Sequence, residues 1–216
     1  MLMYTLKNKT IVLAFCLMGF IPAVIWAGEG VDFMNDVIHQ FEEMRGELVD
    51  NYTKTNRQRV LKKAKELALR IIDVDEIGKL ALGDYHDKIK PQQREDFMKL
   101  FQELMADRVV NAQIPKNKIQ AEKIPIKILK DIEKKDKAFK KDALVVQTQV
   151  PHKKIVYDVD FYMFKTADGL KVYDIHIDDS STLLDYRNQF AQIIRKKGMS
   201  YLLKKLRTKL KSLKKK

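Results

Sequence analysis

Apolar residues recur at helical spacing in the first half of the chain and predict four helices before residue 115. The first helix is marked by Val31, Met34, Val37, Ile38, Phe41, Met44 and Leu48. The second is marked by Val60, Leu61, Ala64, Leu67, Ala68 and Ile71, with Thr53 or Thr55 as its N-cap. A short third helix is predicted over residues 74–82, and Gly83 ends it.

The fourth helix begins at Pro91, because proline is favoured at the first helical position. Its apolar stripe consists of Phe97, Leu100, Phe101, Leu104, Met105 and Val109. Charged side chains occupy the opposite face, so this helix is expected to bury one broad side.

After Pro115 the apolar period changes to two, which indicates β-strands. The predicted strands are residues 118–129, 143–150, 154–165 and 170–178. The lysine-rich stretch 130–141 is interpreted as a solvated loop or hairpin tip. Because the links between the last three strands are short, we expect a four-stranded antiparallel sheet.

Helical spacing returns at residues 182–197 and 199–212, with Gly198 as the break between them. Helices, then a sheet, then helices again predict a single α+β domain. One strand face would carry Ile155, Tyr157, Val159, Phe161 and Met163, and its neighbour Leu144, Val146, Thr148 and Val150. The pattern leaves open whether these faces form an ordinary core or a core partly open to a ligand.

The first 27 residues have the parts of a cleavable export signal. Lys7 and Lys9 precede an apolar stretch over residues 11–25, and Ala27 offers a small residue for cleavage. That stretch is shorter than the roughly 20 residues of a membrane-spanning helix, so export is favoured over an uncleaved anchor. Cys16 is the only cysteine, so a chain cleaved after Ala27 would form no internal disulfide.

The net charge of +13 is concentrated at the C-terminus. Eleven basic residues and no acid lie in residues 195–216, and residues 28–194 carry equal numbers of bases and acids. The excess of basic residues therefore belongs to the C-terminal tail and not to the body of the domain. Nucleic-acid binding through this tail is disfavoured by export.

No catalytic or metal-binding motif is found in the sequence. The four histidines, His39, His86, His152 and His176, match no zinc spacing, and no serine elbow or phosphate-binding glycine loop is present. Asp158 and Asp160 are interpreted as the solvated side of a strand. Asp178 and Asp179 are interpreted as acids before a helix start. We therefore expect no catalytic residues, no metal, no cofactor and no enzymatic activity.

Two stretches, residues 71–110 and 171–206, resemble the MlaC, or toluene-tolerance, family of periplasmic phospholipid-binding proteins. The first set of matching residues is Val74, Asp75, Ile77, Leu82, Gly83, Gln93, Arg94, Phe97 and Phe101. The second set is Val172, Tyr173, Asp174, Ile175, Ser181, Tyr186, Arg187, Gln189, Phe190 and Gly198. Asp179 stands where the family commonly has a glycine, so the turn there is expected to differ.

The resemblance implies a periplasmic carrier that holds phospholipid in an apolar cavity between sheet and helices. It implies transport between inner and outer membranes, in the service of outer-membrane lipid asymmetry. The partners so implied are an inner-membrane ABC lipid transporter complex and an outer-membrane lipoprotein–porin complex. Carriage of another hydrophobic molecule, such as a hopanoid, is the first alternative, and an enzyme that uses the cavity is the second.

The candidate lipid-binding residues are taken from the apolar pattern. They are Phe97, Phe101, Leu104 and Met105 from the fourth helix and Val146, Val159, Phe161 and Met163 from the sheet. Arg187 could contact a lipid phosphate, or Asp174 or Asp185 could hold it in a structural ion pair.

The predicted organisation is a signal peptide over residues 1–27, the lipid-binding domain over 28–206 and a basic tail over 207–216. Leucines recur near the tail at three- and four-residue spacing, at Leu203, Leu206, Leu210 and Leu213. Such a helix could make transient contact with an anionic membrane surface or dock on an acidic partner, or it could be a frayed, solvated end.

Overall fold

The computed structural model describes residues 28–114, 125–152 and 154–214. Its helices are α1 (Glu29–Asp50), α2 (Lys54–Ile71), α3 (Val74–Leu82), α4 (Pro91–Gln113), α5 (Thr182–Lys197) and α6 (Met199–Lys214), with a 3₁₀ turn at Gly83–Tyr85. Its strands are β1 (Lys127–Asp136), β2 (Lys141–His152), β3 (Ile155–Thr166), β4 (Gly169–Ile177) and β5 (Ser180–Ser181). The α+β prediction is confirmed, and the predicted signal at residues 1–27 lies outside the described residues.

The helix boundaries follow from local capping. The Thr53 hydroxyl accepts a hydrogen bond from the Asn56 backbone N–H at 3.1 Å, so Thr53 and not Thr55 starts α2. Asp73 starts α3 in the same way, and Pro91 occupies the first turn of α4. Gly198, with φ +78°, separates α5 from α6.

The sheet has five antiparallel strands in sequence order among the described residues, where four were predicted. The missed strand is the two-residue β5, which is too short to carry an alternating pattern. Asp178 and Asp179 make the tight turn before it, with φ +46° and +66°. Asp179 therefore takes, as an aspartate, a left-handed conformation that glycine adopts more readily.

The first strand extends further than predicted, and within the lysine-rich stretch only residues 137–140 form the predicted hairpin tip. β1 runs from Lys127 to Asp136 and so includes most of the lysine-rich stretch 130–141, while residues 118–124 lie outside the described residues. Among the described residues, β1 pairs only with β2 and is an edge strand, where lysines remain in water and discourage pairing with other chains. Its composition reflects that edge position and not a loop.

Buried apolar side chains form three clusters. The largest joins α3, α4, α5 and α6 to the sheet through Val145, Tyr162 and Tyr173. The second joins α1, α2 and α4, and the third packs Met34 of α1 onto Val146, Met163, Leu170 and Val172. α1 thus contacts both the helices α2 and α4 and the sheet.

The leucines near the C-terminus belong to the largest cluster. Leu203, Leu206 and Leu210 are buried and Leu213 packs partly buried against them, while Arg207 forms an ion pair with Asp96 of α4 at 2.6 Å. α6 passes the predicted boundary at 206/207 without a break. The interpretation of these leucines as a membrane-docking seam, or of this end as frayed, was therefore wrong for the residues through Lys214.

Candidate functional site

A cavity of about 470 Å³ lies where α1, α4 and α5 meet the sheet. This volume falls within the range of about 300–1,000 Å³ that is typical of ligand pockets. Two lining residues, Ile177 and Arg108, are exposed, so the cavity opens beside them.

The wall is mainly aliphatic and aromatic. Its apolar residues are Met34, Val37, Ile38, Phe41, Ile71, Ile72, Ile77, Met105, Val109, Ile126, Phe161, Val172, Tyr173, Ile175, Ile177, Leu183 and Tyr186. A surface of this kind lowers the free energy of hydrocarbon that leaves water and offers few hydrogen-bond partners.

Helix α4 presents one row of side chains to the cavity. Met105, Val109 and Gln113 follow one another at intervals of four residues, so they lie on one face of the helix. Phe97, Phe101 and Leu104 do not line the cavity and lie in the largest core cluster. The Phe97 and Phe101 rings stack 5.2 Å apart, and the Phe190 ring of α5 packs edge-on against both.

From the sheet candidates, the structure places Phe161 on the wall. Val146 and Met163 share the face of Phe161 but are covered by Met34 of α1, and both are fully buried. Val159 pairs with Thr148 and Ile177 and is half-buried away from the wall. The alternating pattern correctly predicted that Val146, Phe161 and Met163 share one face of the sheet. It could not show which of these residues α1 covers.

Sequence reasoning did not assign α1, the end of α2, β4 or the start of α5 to the cavity. The apolar positions Met34, Val37, Ile38 and Phe41 had been recognised as a helical stripe, and this stripe is the signal that could have placed α1 on the wall. The contributions of Ile72 and Ile175 depend on tertiary packing and carry no local signal.

Four charged residues lie on the wall, namely Glu42 and Arg45 of α1, Arg108 of α4 and Asp174 of β4. Arg45 is buried, and its Nη2 donates a hydrogen bond to the Gln113 carbonyl at 2.9 Å. Burial lowers the pKa of Arg45, and the nearby charge of Glu42 acts in the opposite direction. The Arg108 guanidinium lies over the Tyr186 ring, 5.3 Å from its centroid.

Asp174 is committed to the start of α5. Its carboxylate accepts hydrogen bonds from Ser181 Oγ at 2.5 Å and from the Leu183 backbone N–H at 2.9 Å. Burial raises the pKa of Asp174, and these two hydrogen bonds act in the opposite direction. Ser181 in turn accepts from the Leu184 N–H at 2.9 Å and caps the helix.

The Asp174, Ser181 and His176 side chains lie together but are not arranged as a nucleophile and its base. The Ser181 hydroxyl donates to Asp174 and not to His176, whose Nε2 lies 3.1 Å from the same carboxylate. The arrangement therefore stabilises the junction between sheet and helix.

Arg187 does not line the cavity. Its Nη2 lies 3.7 Å from Asp84 Oδ1, and its guanidinium packs beside Gly83, where an added Cβ would lie 2.6 Å from Arg187 Nε. Neither Asp174 nor Asp185 pairs with Arg187. The structural ion pair forms with Asp84 instead, which the sequence did not indicate.

Asp158 and Asp160 of β3 are bound by the neighbouring strand. Asp158 and Asp160 accept hydrogen bonds from Gln149 and Gln147 of the neighbouring strand, at 3.2 and 3.4 Å. In the part of the chain that the structure describes, no three His, Cys, Asp or Glu side chains are grouped to hold a metal. The side chain of His152 lies outside that part.

A second recess, of about 450 Å³, is lined by charged and polar groups that include Asp73, Asp75, Glu76 and Lys79. Such a lining cannot shield an apolar ligand, so the apolar cavity is the better candidate site. Within residues 28–114, 125–152 and 154–214, no helix is both long and apolar enough to cross a bilayer.

Comparison with known proteins identifies a matching family model and a solved structure with the same fold. The family model described as MlaC protein matches residues 40–208. A solved structure, the phospholipid-binding protein from Ralstonia solanacearum in complex with a phospholipid, matches with a TM-score of 0.61 and 21% identity. The match covers 83% of this chain and 93% of that one, and at this identity it establishes the shared fold. No curated protein sequence matches the chain.

Proposed function

The chain belongs to the MlaC protein family, and we propose that it is a carrier that binds a phospholipid with its acyl chains in the apolar cavity. The observation that carries the proposal is the cavity wall, in which aliphatic and aromatic side chains from five helices and the sheet surround about 470 Å³. The phospholipid named for the Ralstonia solanacearum structure supports the choice of ligand.

An apolar cavity serves the main energetic requirement of a lipid carrier, which is to keep acyl chains out of water. Two acyl chains contain on the order of 30 methylenes, each of which costs about 0.8 kcal/mol in water, or roughly 20–25 kcal/mol in total. A carrier must cover this surface and still release the lipid at a membrane. Side chains such as Met34 and Met105 on the wall adapt to chains of different shape.

The proposed compartment is the periplasm of a two-membrane bacterium. It is supported by family membership and by the export signal that the sequence predicts over residues 1–27. The proposed route is transfer between an inner-membrane ABC lipid transporter complex and an outer-membrane lipoprotein–porin complex.

Contact with a membrane surface during transfer is proposed through the charged side of α6. Because the leucines of this helix are buried, only its outer face can meet the membrane, and this face exposes Lys204, Lys205, Lys209 and Lys211. Each basic residue near an anionic surface contributes about 1 kcal/mol of attraction.

Identification of the bound ligand tests the proposal. The protein would be purified from the periplasm of a two-membrane bacterium and extracted with organic solvent, and the extract analysed by mass spectrometry. We expect a two-chain phospholipid in near-stoichiometric amount. A hopanoid or other polycyclic lipid would support the first alternative, and a protein without lipid that converts a substrate would support an enzyme.

A further inference from the structure

Gly28, the residue that precedes α1, lies directly against the carboxylate of Asp131 on β1. A Cβ added at Gly28 would lie 2.1 Å from each of the two Asp131 carboxylate oxygens. Atoms that are not bonded to each other do not come so close, so no larger residue fits at position 28 unless Asp131 moves. The φ of Gly28 is −73°, which any residue can adopt, so the glycine is required here for space.

The same carboxylate binds the first turn of α1. Asp131 Oδ2 accepts hydrogen bonds from the backbone N–H groups of Gly30 and Val31. The first N–H groups of a helix have no partner within the helix and form the positive end of its dipole, so a carboxylate is favourable there. Gly30 also approaches the sheet closely, since a Cβ added there would lie 2.7 Å from Val146 Cγ2. The start of α1 is therefore packed on β1 and β2.

The backbone nitrogen of Gly28 is within reach of Asp131. The nitrogen and the added Cβ are each bonded to the same Cα at about 1.5 Å, so the nitrogen lies within about 5 Å of both carboxylate oxygens. In a chain cleaved after Ala27, as the sequence predicts, this nitrogen is an α-ammonium group and not an amide. The ammonium carries a full positive charge and three donors, and it can turn toward the carboxylate about the Cα–C bond of Gly28.

A positive charge at this place needs a counter-ion. It would stand at the positive end of the α1 dipole, where a cation alone destabilises a helix. Among the acids of the first turn of α1, Glu29 forms an ion pair with Lys165 of β3, and Asp32 is exposed. Asp131, which already contacts Gly28 and binds the next N–H groups, is the acid placed to pair with the ammonium.

We propose that removal of the export signal creates an ion pair between the Gly28 ammonium and Asp131, and that this pair fixes α1 on the sheet. Hydrolysis of the Ala27–Gly28 peptide bond by water leaves a carboxylate on Ala27 and the ammonium on Gly28. This inference rests on the export given under the proposed function and goes beyond lipid binding.

The consequence of the ion pair lies at the cavity. α1 contributes to the wall the side chains of Met34, Val37, Ile38 and Phe41. A precursor with its signal attached has a neutral amide at Gly28, so it holds α1, and with it this part of the wall, less firmly. Cleavage during export thus completes the apolar site in the compartment where the carrier works.

The test compares two chains that differ only in the charge on the Gly28 nitrogen. Both contain residues 28–216, and one carries an acetyl group on that nitrogen, which removes the charge and restores the amide of the precursor. Amide hydrogen exchange in α1 would be measured by mass spectrometry after lipid removal. We expect exchange in α1 to be about threefold slower in the chain with the free amine. Equal exchange in the two chains would overturn the proposal.

Asp131→Asn identifies the counter-ion. It should speed exchange in α1 about fivefold in the chain with the free amine and about twofold in the acetylated chain, because only the first of these loses an ion pair. Glu133→Gln, at an exposed position of the same strand, is the matched control and should act equally on both chains. An equal effect of Asp131→Asn on the two chains would show that Asp131 does not pair with the ammonium.

Gly28→Ala tests the close approach itself. Its Cβ would displace the Asp131 carboxylate, so exchange in α1 should become faster in the chain with the free amine. Gly46→Ala is the matched control in the same helix, because a Cβ added at Gly46 meets nothing within 4 Å. Exchange in α1 that Gly28→Ala leaves unchanged would contradict the contact between Gly28 and Asp131.

These results separate the ion pair from the carrier function, because exchange is measured on the protein without lipid. A wild type that carries phospholipid but shows no effect of acetylation would overturn the ion pair and leave the carrier function intact. Slower exchange with the free amine, in a protein from which no lipid can be extracted, would support the ion pair and contradict the carrier function. An exported protein whose intact mass shows a first residue other than Gly28 would also overturn the ion pair.

Discussion

At the residue scale, Asp174 connects the cavity wall to the helix that follows it. Its carboxylate is buried and accepts hydrogen bonds from Ser181, from the Leu183 N–H and from the Ile175 N–H. These bonds fix the start of α5, and α5 places Leu183 and Tyr186 on the wall. The residue therefore shapes the cavity without offering its charge to a ligand.

We expect Asp174→Asn to lower the free energy of unfolding by about 2–3 kcal/mol, because an amide would place N–H groups against the donors that now surround the carboxylate. Ser181→Ala removes one helix cap and should cost about 1 kcal/mol. Urea denaturation measures both, with Asp168→Asn in the exposed β3–β4 turn as the control. An Asp174→Asn variant as stable as that control would contradict the assigned role.

The residue scale also shows what sequence can predict about the site. The sequence predicted the apolar face of α4 that carries Met105 and the apolar face of β3 that carries Phe161. Both faces follow from the regular helix and strand periods. The ion pair between Arg187 and Asp84 was not readable, because the two residues are 103 positions apart and no local pattern joins them. The same limit hid Arg45, whose hydrogen-bond partner Gln113 is 68 positions away along the chain.

At the element scale, α1 is held to the sheet by a carboxylate at its N-terminus. Asp131 of β1 accepts hydrogen bonds from the backbone N–H groups of Gly30 and Val31, at 2.9 and 3.3 Å. A carboxylate at a helix N-terminus satisfies unpaired donors and interacts favourably with the helix dipole. α1 supplies much of the cavity wall, so this contact helps to position the site.

Replacement of Asp131 by Asn should weaken the attachment of α1, because the charge is lost while one oxygen acceptor remains. We expect the unfolding free energy to fall by about 1 kcal/mol, with faster amide hydrogen exchange concentrated in α1. Glu133→Gln is the control, because it makes the same chemical change at an exposed position of the same strand. Equal rates of amide hydrogen exchange in α1 of the Asp131→Asn and Glu133→Gln variants would exclude a specific role for Asp131.

The elements themselves were largely predictable, and the exceptions have physical causes. Helices α1 to α6 followed from apolar period and caps, because each buries one face of its own. β1 was misread because an edge strand in water needs no alternating apolar pattern. The helical spacing of the lysines and leucines of α6 was predicted from the sequence. The sequence could not show that Leu206 and Leu210 pack in the core of this same molecule and not against a membrane.

At the scale of the whole molecule, the excess of basic residues lies in residues 195–216, and none of these residues that the structure describes lines the cavity. The cavity lies between α1, α4, α5 and the sheet, while the exposed lysines of α6 lie on the outer side of a helix packed on α4. None of these lysines lines the cavity, so the proposed membrane contact and the proposed lipid site use different side chains.

Replacing Lys204, Lys205, Lys209 and Lys211 with Gln should weaken binding to vesicles that contain phosphatidylglycerol by at least about a hundredfold at low salt, since each contributes about 1 kcal/mol. Replacing Lys54, Lys62, Lys88 and Lys127, which are exposed elsewhere, gives the same change in net charge. Vesicle co-sedimentation measures both. Equal losses in the two variants would show that net charge and not the α6 surface governs binding.

If the apolar cavity holds the lipid, a bulky side chain placed in the cavity excludes the lipid, which native mass spectrometry measures. Ile38→Trp places a large ring in the cavity from α1, and Val49→Trp adds the same ring at a position of α1 that is 40% exposed and outside the cavity. We predict that the wild type and Val49→Trp carry the mass of one two-chain phospholipid and that folded Ile38→Trp carries none. Retention of the full lipid load by folded Ile38→Trp, or its absence from the wild type, would show that the apolar cavity is not the lipid site.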